Sequence, residues 1–548
     1  MPSDDISGPK LNEGEPSTEV YAVHGADPEV QAYGMAKYSR SALSLRESLA
    51  EINDQKAEKF LNTFYFQYGH RSIADLAHIA FAIERLSMLA ATVLVDEPRW
   101  DGQERSTRYQ DFQKSGCYVP DFGGNNAMHA LYCDAIDYLF AEYRVFSEAM
   151  FAYLRDRTPK PAEMKQEAYE RTLRARAFDI SRYLLPLATN TSLGQIVSAR
   201  TLENQVSRLL SHTHAEVRRL GELLKQAARE PAYNVSDAKI RELLNTFESV
   251  IPSDGGPILP AGVEGPLHDN LGRLGDLLLR QVRVAPTLMK YAEANTYEIE
   301  TRRDLTAAAA ELLAGVAIED VPTVVLLDDD PLEIELAATL LYQYSHHPYR
   351  QIRDVVAALP EAQRREIIDL GLRHRGRHDE VARAFCAGQR FRFDILMDIG
   401  GFRDMHRHRR CVQIVQEYTA AHGYDEPVEI ESAGLAVRYQ SAMERARSVA
   451  ARLASPVAEN PTQAKPPCVG HPEESQYVIP LAFRKRTLFK MDLAEAIYIS
   501  ELRTGAAGHF SYRNVAYAMY EAVAQRYPAL AKYFRVTDVR EPVDLLKR

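Results

Sequence analysis

The sequence predicts a mainly helical α+β protein built from two repeats. Through most of the 548 residues, apolar side chains recur every three or four positions, as in amphipathic helices. Strand candidates are short and few, so only a modest sheet is expected. Local motifs of the first half return in the same order in the second half, which indicates an internal duplication.

Four segments carry the helical periodicity most clearly: KAEKFLNTFYFQYGH at 56–70, NAMHALYCDAIDYLFAEYRVFSEAMFAYLRD at 126–156, TLENQVSRLLSHTHAEVRRLGELLKQAA at 201–228 and LAEAIYISELR at 493–503. The run VPTVVLLDD at 321–329 predicts a strand because it is short and β-branched. The run RFRFDILMDI at 390–399 fits either a strand or the start of a buried helix, since apolar runs of this length do not distinguish the two.

Two pairs of matching motifs indicate the duplication. YFQYGH at 65–70 returns as LYQYSH at 341–346, and each ends a helical segment. About 100 residues later, RYLLPLATNTSL near 182 matches QYVIPLAFRKRTLF near 476, where we expect a helix to begin after the proline. Two matches in one order are much less consistent with chance than one.

Length and composition favour two or more domains. Segments rich in Pro, Gly and small polar residues at 251–267 and 455–475 interrupt the pattern, and the first is placed to connect domains. The predicted divisions are a disordered tail at 1–19, a first repeat at 20–250, a linker at 251–285 and a second repeat at 286–548.

Several classes of protein are disfavoured by composition. No apolar run approaches the roughly 18 residues of a membrane span, and the N-terminus lacks a signal-peptide pattern, so we expect a cytoplasmic protein. The formal net charge of −10 argues against general nucleic-acid binding. Five scattered cysteines without a CxxC pair indicate neither a disulfide framework nor a zinc site, and we expect no metal.

One basic cluster stands out against the acidic chain. MHRHRRC at 405–411 follows the strongly apolar FDILMDIGGF, so its cations emerge at the end of a buried element. Arginine forks bind phosphate bidentately, which makes this cluster a candidate anion site. The alternative is a solvated basic face at a helix end.

Here the sequence resembles the flavin-dependent thymidylate synthases. Their signature is Arg-His-Arg, two residues, a serine, then four residues and Ser-x-Arg. The second repeat carries its beginning, at Arg407, His408 and Arg409. The later serine and arginine positions of this repeat hold Val412, Glu417 and Thr419.

The first repeat carries the other half of the signature. In VDEPRWDGQERSTRYQDF the end of the pattern is matched, while VDEPRW at 95–100 stands where Arg-His-Arg is expected. The matching residues are Glu104, Ser106, Arg108 and Tyr109.

A later family segment, Asn-Ala-Arg-Ser-Leu followed by an arginine and a histidine, is split in the same way. The first repeat retains Arg200, Asn204 and His214 but has Leu209 at the later arginine's position, with Arg208 one place early. The second repeat has Ala494 at the first arginine's position, yet keeps Arg503 and His509.

The resemblance implies a fold with a small sheet flanked by long helices in each repeat. It also implies reductive methylation of dUMP to dTMP, with methylenetetrahydrofolate as carbon donor, FAD as hydride carrier and NADPH as reductant. By the same resemblance, the flavin phosphates are assigned to Arg407, His408 and Arg409, with Arg200 and Asn204 as second candidates. The nucleotide is assigned to Glu104, Ser106 and Arg108, and Arg503 is expected to polarise the uracil ring.

Because each repeat retains the half of the signature that the other has lost, we hypothesise a fused pseudo-dimer, with two chains forming a homodimer.

Three functions stay open: a flavin-dependent thymidylate synthase, a flavin enzyme acting on another uracil nucleotide, and a non-catalytic relative that binds a nucleotide or a partner. For single residues the alternatives are a helix-surface arginine at 200, an exposed polar turn at 106–108 and a helix C-terminal cation at Arg503. Cys411 is a minor alternative as a nucleophile, since the neighbouring cations could lower its pKa.

Overall fold

The computed structural model describes residues 23, 25–37, 45–51, 54–63, 71–250, 264–377, 379–455, 470–544 and 546. The predicted tail at 1–19, the motif YFQYGH at 65–70 and residues 251–263 of the predicted linker lie outside the described residues. Residues 264–278 of that linker form a helix.

The helices are α1 Pro28–Lys37, α2 Leu45–Glu51, α3 Asp54–Leu61, α4 Met88–Leu94, α5 Asn126–Arg157, α6 Gln166–Ser181, α7 Ala199–Leu210, α8 Ala215–Arg229, α9 Asp237–Val250, α10 Glu264–Leu278, α11 Thr296–Leu312, α12 Leu332–Tyr342, α13 Tyr349–Ala358, α14 Glu361–Leu370, α15 Ile399–Met405, α16 Val428–Ser432, α17 Ala436–Ala454, α18 Pro472–Ser475, α19 Leu493–Thr504, α20 Phe510–Arg526 and α21 Pro528–Ala531. The strands are β1 His78–Ser87, β2 Asp101–Glu104, β3 Asn190–Ser198, β4 Val324–Leu326, β5 Phe391–Asp398, β6 Val412–Val415 and β7 Arg484–Met491. The fold is therefore α+β and mainly helical, as predicted.

The chain forms two compact units, one of residues 1–77 and 228–288 and the other of residues 78–227 and 289–548. In the smaller unit, the start of α1 is tied to the segment that follows α10. The Arg280 guanidinium donates to the Asp27 carboxylate at 2.9 and 2.6 Å. The buried Glu29 carboxylate accepts from the backbone N–H groups of Thr287 and Leu288 at 2.9 and 2.7 Å. These contacts join two stretches that are distant in sequence.

The larger unit contains the same succession of elements twice. A strand, a short helix, a strand, a helical segment, a strand and two helices run from β1 to α8 and again from β5 to α20. The helical segment consists of α5 and α6 in the first copy and of α16, α17 and α18 in the second. The first sheet has the order β1-β3-β2 and the second has β4-β5-β7-β6, so β5, β7 and β6 correspond to β1, β3 and β2. All pairings are antiparallel.

The two copies join through reciprocal backbone hydrogen bonds. The Leu187 N–H donates to the Ile479 carbonyl at 2.9 Å. In return, the Leu481 N–H donates to the Leu185 carbonyl at 3.0 Å. Each bond is the counterpart of the other under exchange of the copies, so a pseudo-twofold axis relates them.

Several sequence predictions about single elements are settled by the structure. The strand at 321–329 is confirmed as β4, and the ambiguous run at 390–399 is the strand β5. The expectation of a helix after Leu-Pro or Ile-Pro was wrong, because β3 and β7 follow those prolines. Burial alternates along β3, which is the pattern of a half-buried strand. The helical segment at 201–228 is broken at residues 211–214 into α7 and α8.

The predicted repeat boundaries, 20–250 and 286–548, stay a prediction. Among the helices that the structure describes, none is long and apolar enough to cross a membrane.

Candidate functional site

The two half-signatures meet at one junction between the copies. Tyr512, at the start of α20, has the Arg108 guanidinium 5.7 Å from its ring centroid and the Arg503 guanidinium 5.5 Å from it. Arg108 belongs to the segment after β2 and Arg503 to the last turn of α19. Tertiary structure thus brings one predicted arginine from each copy onto a single aromatic ring.

The Arg-His-Arg group occupies the loop between α15 and β6. With Glu495, Tyr498, Leu502 and Arg503 of α19, this loop lines an open groove of about 560 Å³. That volume is within the roughly 300–1,000 Å³ typical of small-molecule sites. Arg407 is exposed, Arg409 is half-buried and His408 is buried. The groove therefore offers two accessible guanidinium groups with a buried imidazole between them.

His408 is held in a defined tautomer. Arg503 Nε donates to His408 Nε2 at 2.8 Å, so that nitrogen must carry a lone pair. The other ring nitrogen, Nδ1, lies 3.5 Å from the Glu495 carboxylate. Burial lowers the pKa of His408, which favours the neutral ring that this arrangement needs. Neutral His408 thereby orients Arg503 while leaving the charge on the guanidinium.

Arg409 and Glu104 each contact the opposite copy. The Arg409 guanidinium lies 4.5 Å from the ring centroid of Trp100, and its Nε is buried without a hydrogen-bond partner in the described structure. Burial lowers the pKa of Arg409, so an anion at this position would stabilise the protonated form. Glu104 forms an ion pair with Arg403 of α15.

Arg108 is buried in a network of polar groups. Its guanidinium donates to Asp179 at 2.9 Å, to the Tyr512 hydroxyl at 3.1 Å and to the Ala507 carbonyl at 3.0 Å. Asp179 also lies 3.1 Å from His509 Nδ1. Burial alone would raise the pKa of Asp179, but the neighbouring His509 and arginines hold it well below its usual range.

The sequence did not indicate Arg182 or Tyr512 as site residues. Arg182 is 2% exposed, and its Nε and Nη2 atoms have no hydrogen-bond partner in the described part of the chain. Its Nη1 atom lies 3.8 Å from Asp404 and 3.4 Å from Thr107. The one available signal was a charged residue directly before the apolar run YLLPL, where a buried cation is unusual.

The remaining predicted residues are more dispersed. Ser106 begins a turn in which its hydroxyl accepts from the Arg108 N–H at 3.3 Å. Arg200 lies on α7, 3.5 Å from Glu380, and Asn204 is exposed on the same helix. Neither lines the groove that contains Arg407 and Arg503. The roles assigned to all predicted site residues stay predictions.

Cys411 is not an activated thiol. Burial raises its pKa to about 12, and its Sγ donates to the His408 carbonyl at 3.0 Å. Burial therefore outweighs the lowering of its pKa by the cation Arg383. Within the described residues, no group of three or more His, Cys, Asp or Glu side chains could hold a metal ion.

Comparison with known families gives two matches within this chain. The family described as "Thymidylate synthase complementing protein" matches residues 21–232 and again residues 324–529. The double match identifies the chain as a tandem duplication.

Individual proteins resemble the chain over different lengths. A protein of Chlamydia muridarum named "UPF0159 protein" is 28% identical over 95% of this chain and 92% of its own length. A "Flavin-dependent thymidylate synthase" of Clostridium tetani is 24% identical over 38% of this chain and 81% of its own length. A solved flavin-dependent thymidylate synthase of Helicobacter pylori, complexed with FAD and dUMP, is 16% identical over 37% of this chain and 89% of its own, with a TM-score of 0.25.

Proposed function

Since the chain belongs to the thymidylate synthase complementing protein family, we propose that it is a flavin-dependent enzyme that reductively methylates dUMP to dTMP. In this proposal methylenetetrahydrofolate donates the carbon, FAD is the cofactor and NADPH is the reductant. The named thymidylate synthase of Clostridium tetani supports the reaction class, and it matches a single-repeat length of this chain.

One observation carries the proposal: Arg108 and Arg503, from opposite copies, approach the ring of Tyr512 at 5.7 and 5.5 Å. A site that needs both halves of the signature can form here within one chain. The Arg-His-Arg group joins the same site through the bond from Arg503 to His408.

The groove residues fit a dinucleotide with a pyrophosphate. Arg407 is exposed and the Nε of Arg409 is unpartnered in the described structure, so both can form charge-assisted bonds to phosphate oxygens. Trp100 supports the Arg409 guanidinium from one side at 4.5 Å. We propose that these residues hold FAD, which supplies the hydride-transfer chemistry when bound.

Arg503 is the proposed catalytic cation. Its Nε is committed to His408, and its other nitrogens make no hydrogen bond to the residues that the structure describes, so they can meet a pyrimidine carbonyl on which negative charge develops. Because the guanidinium is fixed before substrate binds, it stabilises that charge without a reorganisation cost. Arg182, whose buried Nη2 has no hydrogen-bond partner in the described structure and whose Nε lies 3.5 Å from Asp179, is a further candidate for the nucleotide.

A second function is favoured by the state of Arg108. Its guanidinium already bonds to Asp179, Tyr512 and Ala507, so a nucleotide phosphate would have to displace at least one of these partners. That arrangement favours an altered uracil nucleotide as substrate, or a non-catalytic relative that binds a nucleotide or a partner.

Fluorescence of Trp100 gives a direct binding test, because it is the only tryptophan of the chain and it contacts Arg409. We expect saturable quenching by FAD, followed by dTMP formation when dUMP, methylenetetrahydrofolate and NADPH are added. Arg409→Met should weaken FAD binding at least tenfold, about 1.4 kcal/mol. Arg503→Met should lower kcat/KM by at least about 100-fold.

The matched control is Arg174→Met. Arg174 also lies over an aromatic ring, that of Phe151 at 4.2 Å, but outside the groove. FAD binding without dTMP formation would favour another uracil nucleotide. No FAD binding would overturn the enzyme proposal and favour the non-catalytic relative.

The proposal also includes a cytoplasmic homodimer, in which two chains supply four family units. Light scattering would then give twice the 61.8 kDa of one chain. A mass of one chain at micromolar concentration would contradict it.

A further inference from the structure

The pseudo-twofold axis relates the groove region to a second junction, which contains a cavity. In the first junction, His509 and Tyr183 meet edge to face with centroids 5.4 Å apart. In the second, His214 and Tyr477 meet in the same way at 5.6 Å. The cavity beside His214 has a volume of about 190 Å³ and is lined by both copies of the repeat.

This second junction has lost the phosphate-binding cations. The loop between α4 and β2 has six residues, like the loop of the Arg-His-Arg group, but carries Asp96 and Glu97. Asp96 pairs with Arg383 at 2.6 Å, and Glu97 pairs with Arg208 at 2.8 Å. The cations of the Arg-His-Arg group therefore have no counterpart in this loop, and its two carboxylates are already paired with arginines.

Lys485 of β7 lines the cavity and is 4% exposed. Its ammonium lies 3.4 Å from the ring centroid of Tyr418 and 5.2 Å from that of Phe402. In the described part of the chain, no carboxylate lies within 4 Å of it and no hydrogen bond holds it. Burial lowers the pKa of Lys485 to about 7, with Glu417 and Asp96 acting in the opposite direction. A buried cation without a directly paired carboxylate is stabilised by an anion that enters the cavity.

Two buried acceptors also line the cavity without a hydrogen-bond partner among the described residues. His406 donates from Nδ1 to Gln413 Oε1 at 2.8 Å, since the Gln413 amide nitrogen is committed to the His408 carbonyl. The ring is neutral because burial lowers its pKa, so its Nε2 atom, which lies 3.7 Å from the Asp96 carboxylate and makes no hydrogen bond in the described structure, can accept one from a ligand. Gln416 Oε1 is a second such acceptor, fixed by the bond from its amide nitrogen to the His347 carbonyl.

The size of the cavity limits the ligand. A cavity of about 150 Å³ accommodates benzene, whereas drug-sized ligands occupy about 300 Å³ or more. A space of about 190 Å³ therefore admits a single small ring or less. Its exposed lining residues, Gln343 and Glu417, mark the entrance.

We propose that this cavity is a second ligand site, specific for a small carboxylic acid that also carries a hydroxyl or N–H donor. The carboxylate pairs with Lys485, and the donor is accepted by His406 Nε2 or Gln416 Oε1. The site differs from the groove in ligand size and charge, and it stands independently of the proposed methylation.

The test uses the full-length protein with 3-hydroxybenzoate, lactate and the neutral isostere 3-hydroxybenzamide as probes. Calorimetry should show one carboxylate bound per chain and at least tenfold weaker binding of the amide. Lys485→Met, which keeps the shape of the side chain but removes its charge, should weaken carboxylate binding at least tenfold. Lys532→Met is the control, because Lys532 also stacks on a tyrosine, Tyr533 at 5.0 Å, but is exposed.

A second measurement needs no variant. Cyanate carbamylates neutral amines, so peptide mass spectrometry of the wild-type protein at pH 7 reports the accessibility of Lys485. The proposal expects 3-hydroxybenzoate, but not the amide, to slow labelling of Lys485 at least fivefold. Equal binding of acid and amide, or binding unchanged in Lys485→Met, would overturn the proposal. Failure of both carboxylates to bind at millimolar concentration would leave a water-filled cavity and also overturn it.

Discussion

Replacing Arg108 by methionine tests whether the junction between the copies stabilises the larger unit. The change removes a buried ion pair with Asp179 at 2.9 Å and two hydrogen bonds, to the Tyr512 hydroxyl and the Ala507 carbonyl. Removing one partner of a buried pair costs about 3–5 kcal/mol when the other charge is left alone. Here Asp179 keeps His509 at 3.1 Å, so the lower end applies. We expect a loss of about 3 kcal/mol.

The assay is equilibrium unfolding in urea, monitored by Trp100 fluorescence, since Trp100 lies in the same compact unit as Arg108. Arg174→Met is the control, because Arg174 forms an exposed ion pair with Glu148 at 3.3 Å that contributes about 0–1 kcal/mol. In a double-mutant cycle, adding Asp179→Asn should cost less in the Arg108→Met background than in the wild type.

A loss below about 1 kcal/mol for Arg108→Met, or additivity in the cycle, would refute the reasoning that this buried pair stabilises the larger unit. The pH dependence gives an independent check. The folded pKa of Asp179 is depressed, so its contribution is present above its unfolded pKa of about 3.9 and is lost as pH falls further. The difference between wild type and Arg108→Met should therefore shrink below about pH 4.

Three further predictions concern packing, acid stability and helix capping. Gly102→Ala should destabilise the larger unit by about 1–3 kcal/mol in urea unfolding, because a Cβ at this position would lie 2.5 Å from the Trp100 ring. Gly194→Ala is the control and should cost less, because its Cβ would have no heavy atom closer than 3.8 Å. Equal costs for the two substitutions would contradict this prediction. Burial lowers the pKa of His214 to about 4, so the free energy of unfolding should fall as pH drops from about 6.5 to 4, by up to about 1.4 kcal/mol per pH unit for this group. His214→Gln should make this pH dependence less steep. An unchanged slope in the variant would count against the prediction. Ser87→Ala removes the N-cap hydrogen bond to α4 and should lower the free energy of unfolding by about 1–2 kcal/mol, measured by thermal or urea unfolding. Ser87→Thr should restore most of that stability. If it does not, the loss comes from the contact of the Ser87 hydroxyl with Glu216 instead.

The sequence by itself determined the class of the fold and its duplication. Periodicity located α5 and α19 within one or two residues, because long amphipathic helices signal themselves locally. Order and spacing of the split signature identified the family, since those features survive where single residues change. Arg407, His408 and Arg409 were singled out because a dense basic run after an apolar one is conspicuous in an acidic chain.

Only the tertiary structure decided that the runs at 390–399 and 484–491 form strands, and which half-sites meet. The run RKRTLFKM resembles a polar surface, yet it is the buried strand β7, because Asp394 pairs with Arg486 at 3.2 Å and Glu335 pairs with Lys490 at 2.9 Å. Those partners lie about 90 and 155 residues away, beyond any local pattern.

The same holds for the site. Tyr512 brings Arg108 and Arg503 together although they are 395 positions apart in number, and the cavity around Lys485 exists only because the two copies pack face to face. Local sequence encodes the propensity of each element. Long-range contacts fix the burial, and burial decides which charges are paired and which remain available for a ligand.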